Sequence, residues 1–351
     1  MRNWLLHLVT AAVMAGALVS SAVRGDPVTG GENSTIGGTG PMKDELDSDV
    51  RARVKKGLAW LAKNAGEEGN INAYGGDNTG ITALAGLAFL ADGNMPGQGQ
   101  YGREVDRILD YVLKNSQETG LITSQAYGSP MYGHGFATLF LAECYGQTQR
   151  ADVKEKLQLA VRLIVQTQNK EGGWRYRPEP NDADISVTIC EIMALRAARN
   201  AGIKVPKKTI DLAIDYVKKS QEPDGGFAYM LNSRGSMFPR SAAGVACLFY
   251  AGIYEGKEID NGVKYLMKRL PGNGENSGEY HYFYGNYYAT QAMFMAGGKA
   301  WQAYWPAIRA ELAKRQQSDG SWTGEAGPVY ATSMSLIILQ VPNRLLPILQ
   351  K

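Results

Sequence analysis

The sequence predicts an all-α fold in which six helix pairs close into a ring, an α6/α6 barrel. Three observations carry this. A short Gln-to-aromatic phrase recurs along the chain at nearly constant spacing. Each interval holds two helical patterns of opposite character. The second of the two is apolar on nearly every face.

The phrase reads Gln168-Asn169-Lys170-Glu171-Gly172-Gly173-Trp174, Gln221-Glu222-Pro223-Asp224-Gly225-Gly226-Phe227 and Gln317-Ser318-Asp319-Gly320-Ser321-Trp322, with a weaker copy at Gln117-Glu118-Thr119-Gly120-Leu121. Aligning the helices before each phrase puts Ala65 and Leu270 in the Gln place. The markers then stand at 65, 117, 168, 221, 270 and 317, spaced by 52, 51, 53, 49 and 47. A fixed period of this size marks a repeat of one supersecondary unit, and each unit needs its neighbours to bury its apolar face.

In unit one the outer helix is Val54–Asn64 and the inner helix Thr79–Leu90. Unit two has its inner helix at Gly135–Cys144. In unit three Val153, Leu157, Ala160, Val161, Ile164 and Val165 form one apolar stripe, while Lys154, Glu155, Lys156 and Arg162 face elsewhere. One apolar stripe and one charged face describe a helix packed on one side and wet on the other. Its inner partner is Ser186–Ala197. Unit four repeats the stripe with Ile210, Ala213, Ile214 and Val217, followed by the inner helix Ser241–Ala251. Unit five pairs Ile259–Arg269 with Tyr288–Ala296, and unit six ends on Thr332–Leu339. Gly93, Gly146, Gly202, Gly252 and Gly297 follow inner helices and predict left-handed C-caps. An open solenoid would wet one side of six fully apolar helices, so closure is expected.

The chain has 351 residues, with 37 basic and 34 acidic residues interspersed for a net charge of +3. That balance speaks against nucleic acid as a partner. Arg2 precedes the apolar stretch Trp4–Val19, and Ser20-Ser21-Ala22 is a small-residue cleavage pattern. Residues 1–22 are therefore expected to be a signal peptide, 23–45 a flexible leader, and 46–351 a single toroid domain. The apolar run is short for a membrane span and no second one follows, so no transmembrane segment is expected after signal removal. The protein is expected to be exported, to the periplasm or the outside. Cys144, Cys190 and Cys247 lie in apolar runs, and an odd count makes no complete disulfide set.

The Gln-to-Trp phrase resembles the repeat of terpenoid cyclases and protein prenyltransferase β subunits, over about the whole mature chain. The resemblance implies an α/α toroid of six helix pairs. It implies little about activity, because the phrase ties helix ends together; a Gln amide bonds two backbone groups at once. A toroid of this kind has a central cavity, entered where the inner helices begin. Convergent polar groups at that mouth are the default site.

Candidate residues there are Asp77 and Asn78, Tyr132 and His134, Asp182 and Asp184, Arg240, His281, Tyr284, Asn286 and Tyr288, and Tyr330. Asp182-Ala183-Asp184-Ile185-Ser186 is similar to the Asp-x-Asp-Asp-Thr segment of squalene–hopene cyclases. The resemblance places Asp184 at the proton donor and Asp182 at the first acid, with Ile185 departing from the pattern. The competing reading is that Asp184 caps the helix that follows. The run Tyr280–Tyr288 offers aromatic faces to a carbocation or to sugar rings. His134 and His281, with Asp184 as a third ligand, lack zinc-ligand spacing. No metal and no cofactor is expected.

Three functions fit. One is a squalene-cyclase-like toroid that binds or converts an apolar, isoprenoid-type small molecule. The second is a non-catalytic scaffold for a protein partner. The third is an α/α-barrel polysaccharide lyase or hydrolase. The sequence leaves enzyme and binder both open.

Overall fold

The computed structural model describes residues 45–73, 76–124, 128–148, 150–273 and 280–350, with backbone only at 72, 73, 76 and 77. The expected signal peptide and all but the last residue of the expected leader lie outside these residues. That last residue, Glu45, is buried and accepts a hydrogen bond from Trp301 Nε1 at 2.8 Å.

Six outer helices are α1 (Ser48–Asn64), α3 (Gly102–Lys114), α5 (Ala151–Gln166), α7 (Lys207–Lys219), α9 (Lys257–Met267) and α11 (Gly298–Arg315). Six inner helices are α2 (Thr79–Ala91), α4 (Pro130–Thr148), α6 (Ile185–Asn200), α8 (Phe238–Tyr250), α10 (Tyr282–Ala296) and α12 (Pro328–Gln340). A two-residue antiparallel pair, β1 (Asn72–Ala73) and β2 (Gly76–Asp77), precedes α2. Each inner helix packs on the next, and α12 packs on α2, so the ring is closed. Closure follows from composition: nearly every residue of α2, α6 and α12 is buried, a state that only neighbours on all sides provide.

The repeat loops hold the ring together. Gln168 Nε2 donates to Gly172 O and Thr209 O, both at 2.8 Å. Gln221 Nε2 does the same to Gly225 O and Glu258 O. In the last unit the residue that does this is Gln316, to Gly320 O and Arg53 O at 3.0 Å, while Gln317 is exposed and reaches only Arg315 O. The marker of that copy therefore shifts by one residue from the sequence register, because the turn is counted back from Gly320 rather than from the first Gln. By the same count Ser116, not Gln117, holds the second marker: Ser116 bridges to Ile122 as Gln221 does to Phe227. The Gln316–Arg53 bond joins unit six to unit one.

Gly172, with φ +103°, shows why the turn needs glycine: a Cβ there would sit 2.1 Å from Leu212 O of the next outer helix. Trp174 and Trp322 are buried, and their indole N–H groups donate to Ile164 O and Leu312 O in the last turns of α5 and α11. One inner-helix position repeats as well. Thr82 Oγ1, His134 Nδ1, Thr188 Oγ1, Ser241 Oγ and Thr332 Oγ1 each accept the backbone N–H of the residue at the aromatic marker. Gly93, Gly202, Gly252 and Gly297 take positive φ after their helices as expected. Gly146 does not; α4 continues through it to Thr148.

The end at which the inner helices finish is covered by the C-terminal segment. Gln340 and Asn343 donate to Ala88 O and Ala91 O of α2, Ile348 N donates to Glu143 Oε1 of α4, and Arg196 of α6 donates to Phe249 O, Tyr250 O and Gln350 O. Leu346, Ile348 and Leu349 are buried. None of the described helices is long and apolar enough to cross a membrane.

Candidate functional site

A cavity of about 870 Å³ opens at the end where the inner helices begin. Its wall takes Ile81 and Leu84 from α2, Tyr132 and Phe136 from α4, Arg240 from α8, Tyr284 from α10 and Tyr330 from α12. The loops add Tyr176, Tyr229, Met237, Tyr280, His281 and Glu325. The sequence places one or two polar residues at the start of each inner helix. Ring closure turns those starts toward a common axis.

Of the candidates read from sequence, Asn78, Tyr132, Arg240, His281, Tyr284 and Tyr330 line this cavity. Asn78 also caps α2, its Oδ1 accepting from Ile81 N at 3.1 Å. Tyr132, Tyr284 and Tyr330 are kept protonated far above their ordinary range by burial. Tyr284 donates to Ser186 O at 2.9 Å.

Four site candidates, and Asn286 of the wider set, stand elsewhere. Tyr288 lies one turn below Tyr284, fully buried, its hydroxyl 3.3 Å from Cys190 Sγ and its ring edge-on to Tyr284 and Tyr287. Of these three rings only Tyr284 lines the cavity. Asn286 is buried and bonded to Tyr304 and Tyr282 O. His134 faces outward to the loop, and burial pushes its imidazole down to about 4, so it is a neutral acceptor for Ile122 N. The side chain of Asp77 lies outside the described residues. Asp182 is half-exposed on the outer surface and paired with Arg175.

Asp184 is fully buried and is the N-cap of α6: Oδ1 accepts from Ser186 N at 2.9 Å and Val187 N at 3.0 Å. Its other oxygen stands 3.6 Å from Arg175 Nε. Burial raises this carboxyl to about 6, against the pull of the two amides and the Arg175 charge. Arg175 thus bridges the two acids the sequence brings together, and its guanidinium lies over the Tyr176 ring at 4.9 Å. Tyr176 and Tyr229, hydrogen-bonded hydroxyl to hydroxyl, are in the cavity wall, and Asp184 is not.

His281 is the N-cap of α10 and has left-handed backbone, φ 66° and ψ 38°. For a residue other than glycine that conformation is uncommon and costs about 1 kcal/mol or more. Its ring packs edge-on to Tyr280 and Tyr284, and Nδ1 lies 3.6 Å from Glu325 Oε1. The contact with His281 holds the Glu325 carboxyl below its ordinary range. Arg240 is half-buried. Its Nε donates to Phe227 O at 3.1 Å and its Nη2 to Gly235 O at 2.7 Å.

Glu325, Tyr176, Tyr229 and Phe136 were not among the sequence candidates. A signal existed for two of them. Tyr176 and Tyr229 each stand two residues after an aromatic marker, Trp174 and Phe227, so the repeat itself points them to one place. Among the described residues no cluster of three or more His, Cys, Asp and Glu side chains is arranged to hold a metal ion.

No protein-family model matches the sequence, and no curated protein matches it either. Solved structures do. The type II terpene cyclase MstE from Scytonema superposes with a TM-score of 0.60 at 13% identity, covering 85% of this chain and 99% of that one. A variant of the same cyclase is solved with geranylgeranyl dihydroxybenzoate, its substrate. The GH76A alpha-1,6-mannanase from Salegentibacter sp. HEL1_6 superposes at 0.63 with 10% identity, covering 85% and 99%. These likenesses establish the fold: the chain is an α/α toroid.

Proposed function

We propose that this toroid binds an apolar, isoprenoid-type small molecule in its central cavity. The observation that carries the reading is the cavity itself. At about 870 Å³ it falls in the size range of small-molecule sites, roughly 300–1,000 Å³. Its wall is aliphatic and aromatic, with neutral tyrosine hydroxyls spaced around it. Burying one CH₂ in such a site is worth about 0.8 kcal/mol, so a chain of isoprene units gains affinity with each unit. The likeness to a terpene cyclase solved with a geranylgeranyl substrate supports the same reading.

The glycosidase alternative has less support here. Hydrolysis of a glycosidic bond needs two facing carboxyl groups. Among the described side chains the cavity presents Glu325, held by His281, while Asp184 is turned into its own helix. The same capping geometry weakens Asp184 as a proton donor to an alkene. Binding is therefore the function we advance, and it is also proposed to take place outside the cytoplasm, on the strength of the leader pattern at Arg2–Ala22.

The test is titration of purified protein with geranylgeraniol, read by tyrosine and tryptophan fluorescence and by native mass spectrometry. Saturable one-to-one binding is expected. Ala326→Trp and Ile81→Trp, which fill the cavity from its wall, are expected to weaken it by about tenfold or more, the equivalent of about 1.4 kcal/mol. No saturable binding, or binding indifferent to both substitutions, overturns the reading.

A further inference from the structure

We infer that the mouth of the cavity is a carboxylate subsite built on Arg240, so that the ligand is an amphipathic acid: an apolar tail in the barrel and a single carboxylate at the rim. The inference rests on the proposed apolar cavity and adds the chemical class of the head group.

Arg240 is fixed in place before any ligand arrives. Phe227 O and Gly235 O accept from its Nε and Nη2, and neither acceptor carries charge. No carboxylate forms an ion pair with it among the described residues. The nearby acid Glu222 acts on Arg240 at a distance, and its ion pair is with Arg234 at 4.0 Å. The guanidinium is half-buried, and burial lowers its pKa from the ordinary value against the opposing pull of nearby groups that include Glu222. Two carbonyls take one N–H each from the five of a guanidinium, which leaves three N–H groups of a residue that lines the cavity. A guanidinium edge matches a carboxylate with two parallel hydrogen bonds.

The rest of the rim fits one negative charge and not several. His281 lines the same cavity with Glu325 against it, Nδ1 3.6 Å from Oε1, so one carboxylate already stands at the rim. Asp184 and Asp182 share Arg175 behind the wall. The helices that start on this side, α8, α10 and α12, have no side-chain cap, whereas α2 and α6 are capped by Asn78 and Asp184. Their N-terminal ends add partial positive potential around Arg240. The Arg240 guanidinium offers one fork to a carboxylate, and with Glu325 already at the rim a diphosphate would bring more negative charge than one guanidinium answers. Below Arg240 the wall turns to Tyr284, Tyr330, Phe136 and Leu84, which suits a tail.

The experiment compares three probes of the same tail: geranylgeranoic acid, geranylgeraniol and geranylgeranyl phosphate, titrated into wild type, Arg240→Gln and Arg240→Lys. We expect wild type to prefer the acid over the alcohol by about tenfold, as one charge-assisted pair supplies. We expect Arg240→Gln to bring its affinities for acid and alcohol within about threefold of each other. Arg240→Lys, which keeps the charge without the fork, is expected to fall between. The wild-type ratio stands without any variant, so misfolding of either, seen by circular dichroism, does not remove the test. Equal binding of acid and alcohol overturns the carboxylate subsite and leaves the apolar cavity standing. A preference that Arg240→Gln retains overturns the assignment to Arg240. Tighter binding of the phosphate than of the acid overturns the head-group class. Binding of no probe overturns the apolar reading and this one with it.

Discussion

Asp184 shows what one residue type is used for twice. Asp leads N-cap preference because its short carboxylate reaches the free amides of the next turn, and Asp184 does so at Ser186 and Val187. Asn has the same reach without the charge. Asp184→Ala is expected to cost about 1–2 kcal/mol by thermal unfolding, and Asp184→Asn much less at pH 5. Both leave ligand binding intact if the acid is only a cap; loss of turnover of a bound isoprenoid in Asp184→Asn alone gives the acid a chemical role. Three buried carboxyls set a pH dependence. Burial raises Glu143 to about 8, raises Glu191 well above its ordinary value, and raises Asp184 to about 6. Each holds its proton more tightly folded than unfolded. Their contribution is therefore fully present below the unfolded values and is lost as pH rises through the folded ones. Stability is expected to fall between pH 5 and pH 8, by up to about 1.4 kcal/mol per pH unit for each group in transition. Melting temperatures of Glu143→Gln and Glu191→Gln should exceed wild type at pH 8 and fall less steeply with pH. A flat wild-type profile would refute this. Sequence gave no warning of these acids, since Glu191 sits in a run of apolar residues that looks like any inner helix.

At the scale of the element, the loop after each outer helix does the joining. Its Gln amide reaches one carbonyl of its own turn and one of the next outer helix, at Thr209, Glu258 and Arg53. Periodicity alone set the last copy one residue late. The three-dimensional register assigns the bridge to Gln316 and leaves Gln317 exposed. Gln316→Ala is therefore expected to cost about 1–3 kcal/mol, as a part-buried residue whose two acceptors lose their donor, and Gln317→Ala less than about 0.5 kcal/mol. Equal costs in denaturant titrations would restore the sequence register. The helices themselves were legible, because apolar spacing separates wet outer from dry inner ones. Their starts were not. α4 begins at Pro130 and α10 at Tyr282, five and six residues ahead of the apolar runs at Gly135 and Tyr288, since Tyr and His at a helix start carry no apolar signal. Tyr132, Gly133 and Tyr284 of the cavity wall lie in those first turns.

At the largest scale, the described residues form a ring closed twice: through α12 on α2, and across one end by the C-terminal segment. That segment buries Leu346, Ile348 and Leu349 and supplies partners to Glu143 and Arg196. Removing residues 345–351 is expected to cost about 5 kcal/mol or more from the three apolar side chains, read as a lower melting temperature. Isoprenoid binding should persist at low temperature, because the cavity opens at the other end. Loss of binding in a variant that stays folded would show that the two ends are coupled. The sequence by itself determined the number of units, the wet and dry helix of each, and the end at which a cavity opens, because burial periodicity and the turn glycines are local properties. Only the tertiary structure decided which polar residues meet. Asp184, read from sequence both as an acid and as a cap, caps α6, and His134 accepts from Ile122 of a loop. Arg240, His281, Glu325 and the tyrosines converge from loops far apart in the chain. Their meeting depends on how far each helix is rotated about its own axis when the ring closes, and no local pattern carries that angle.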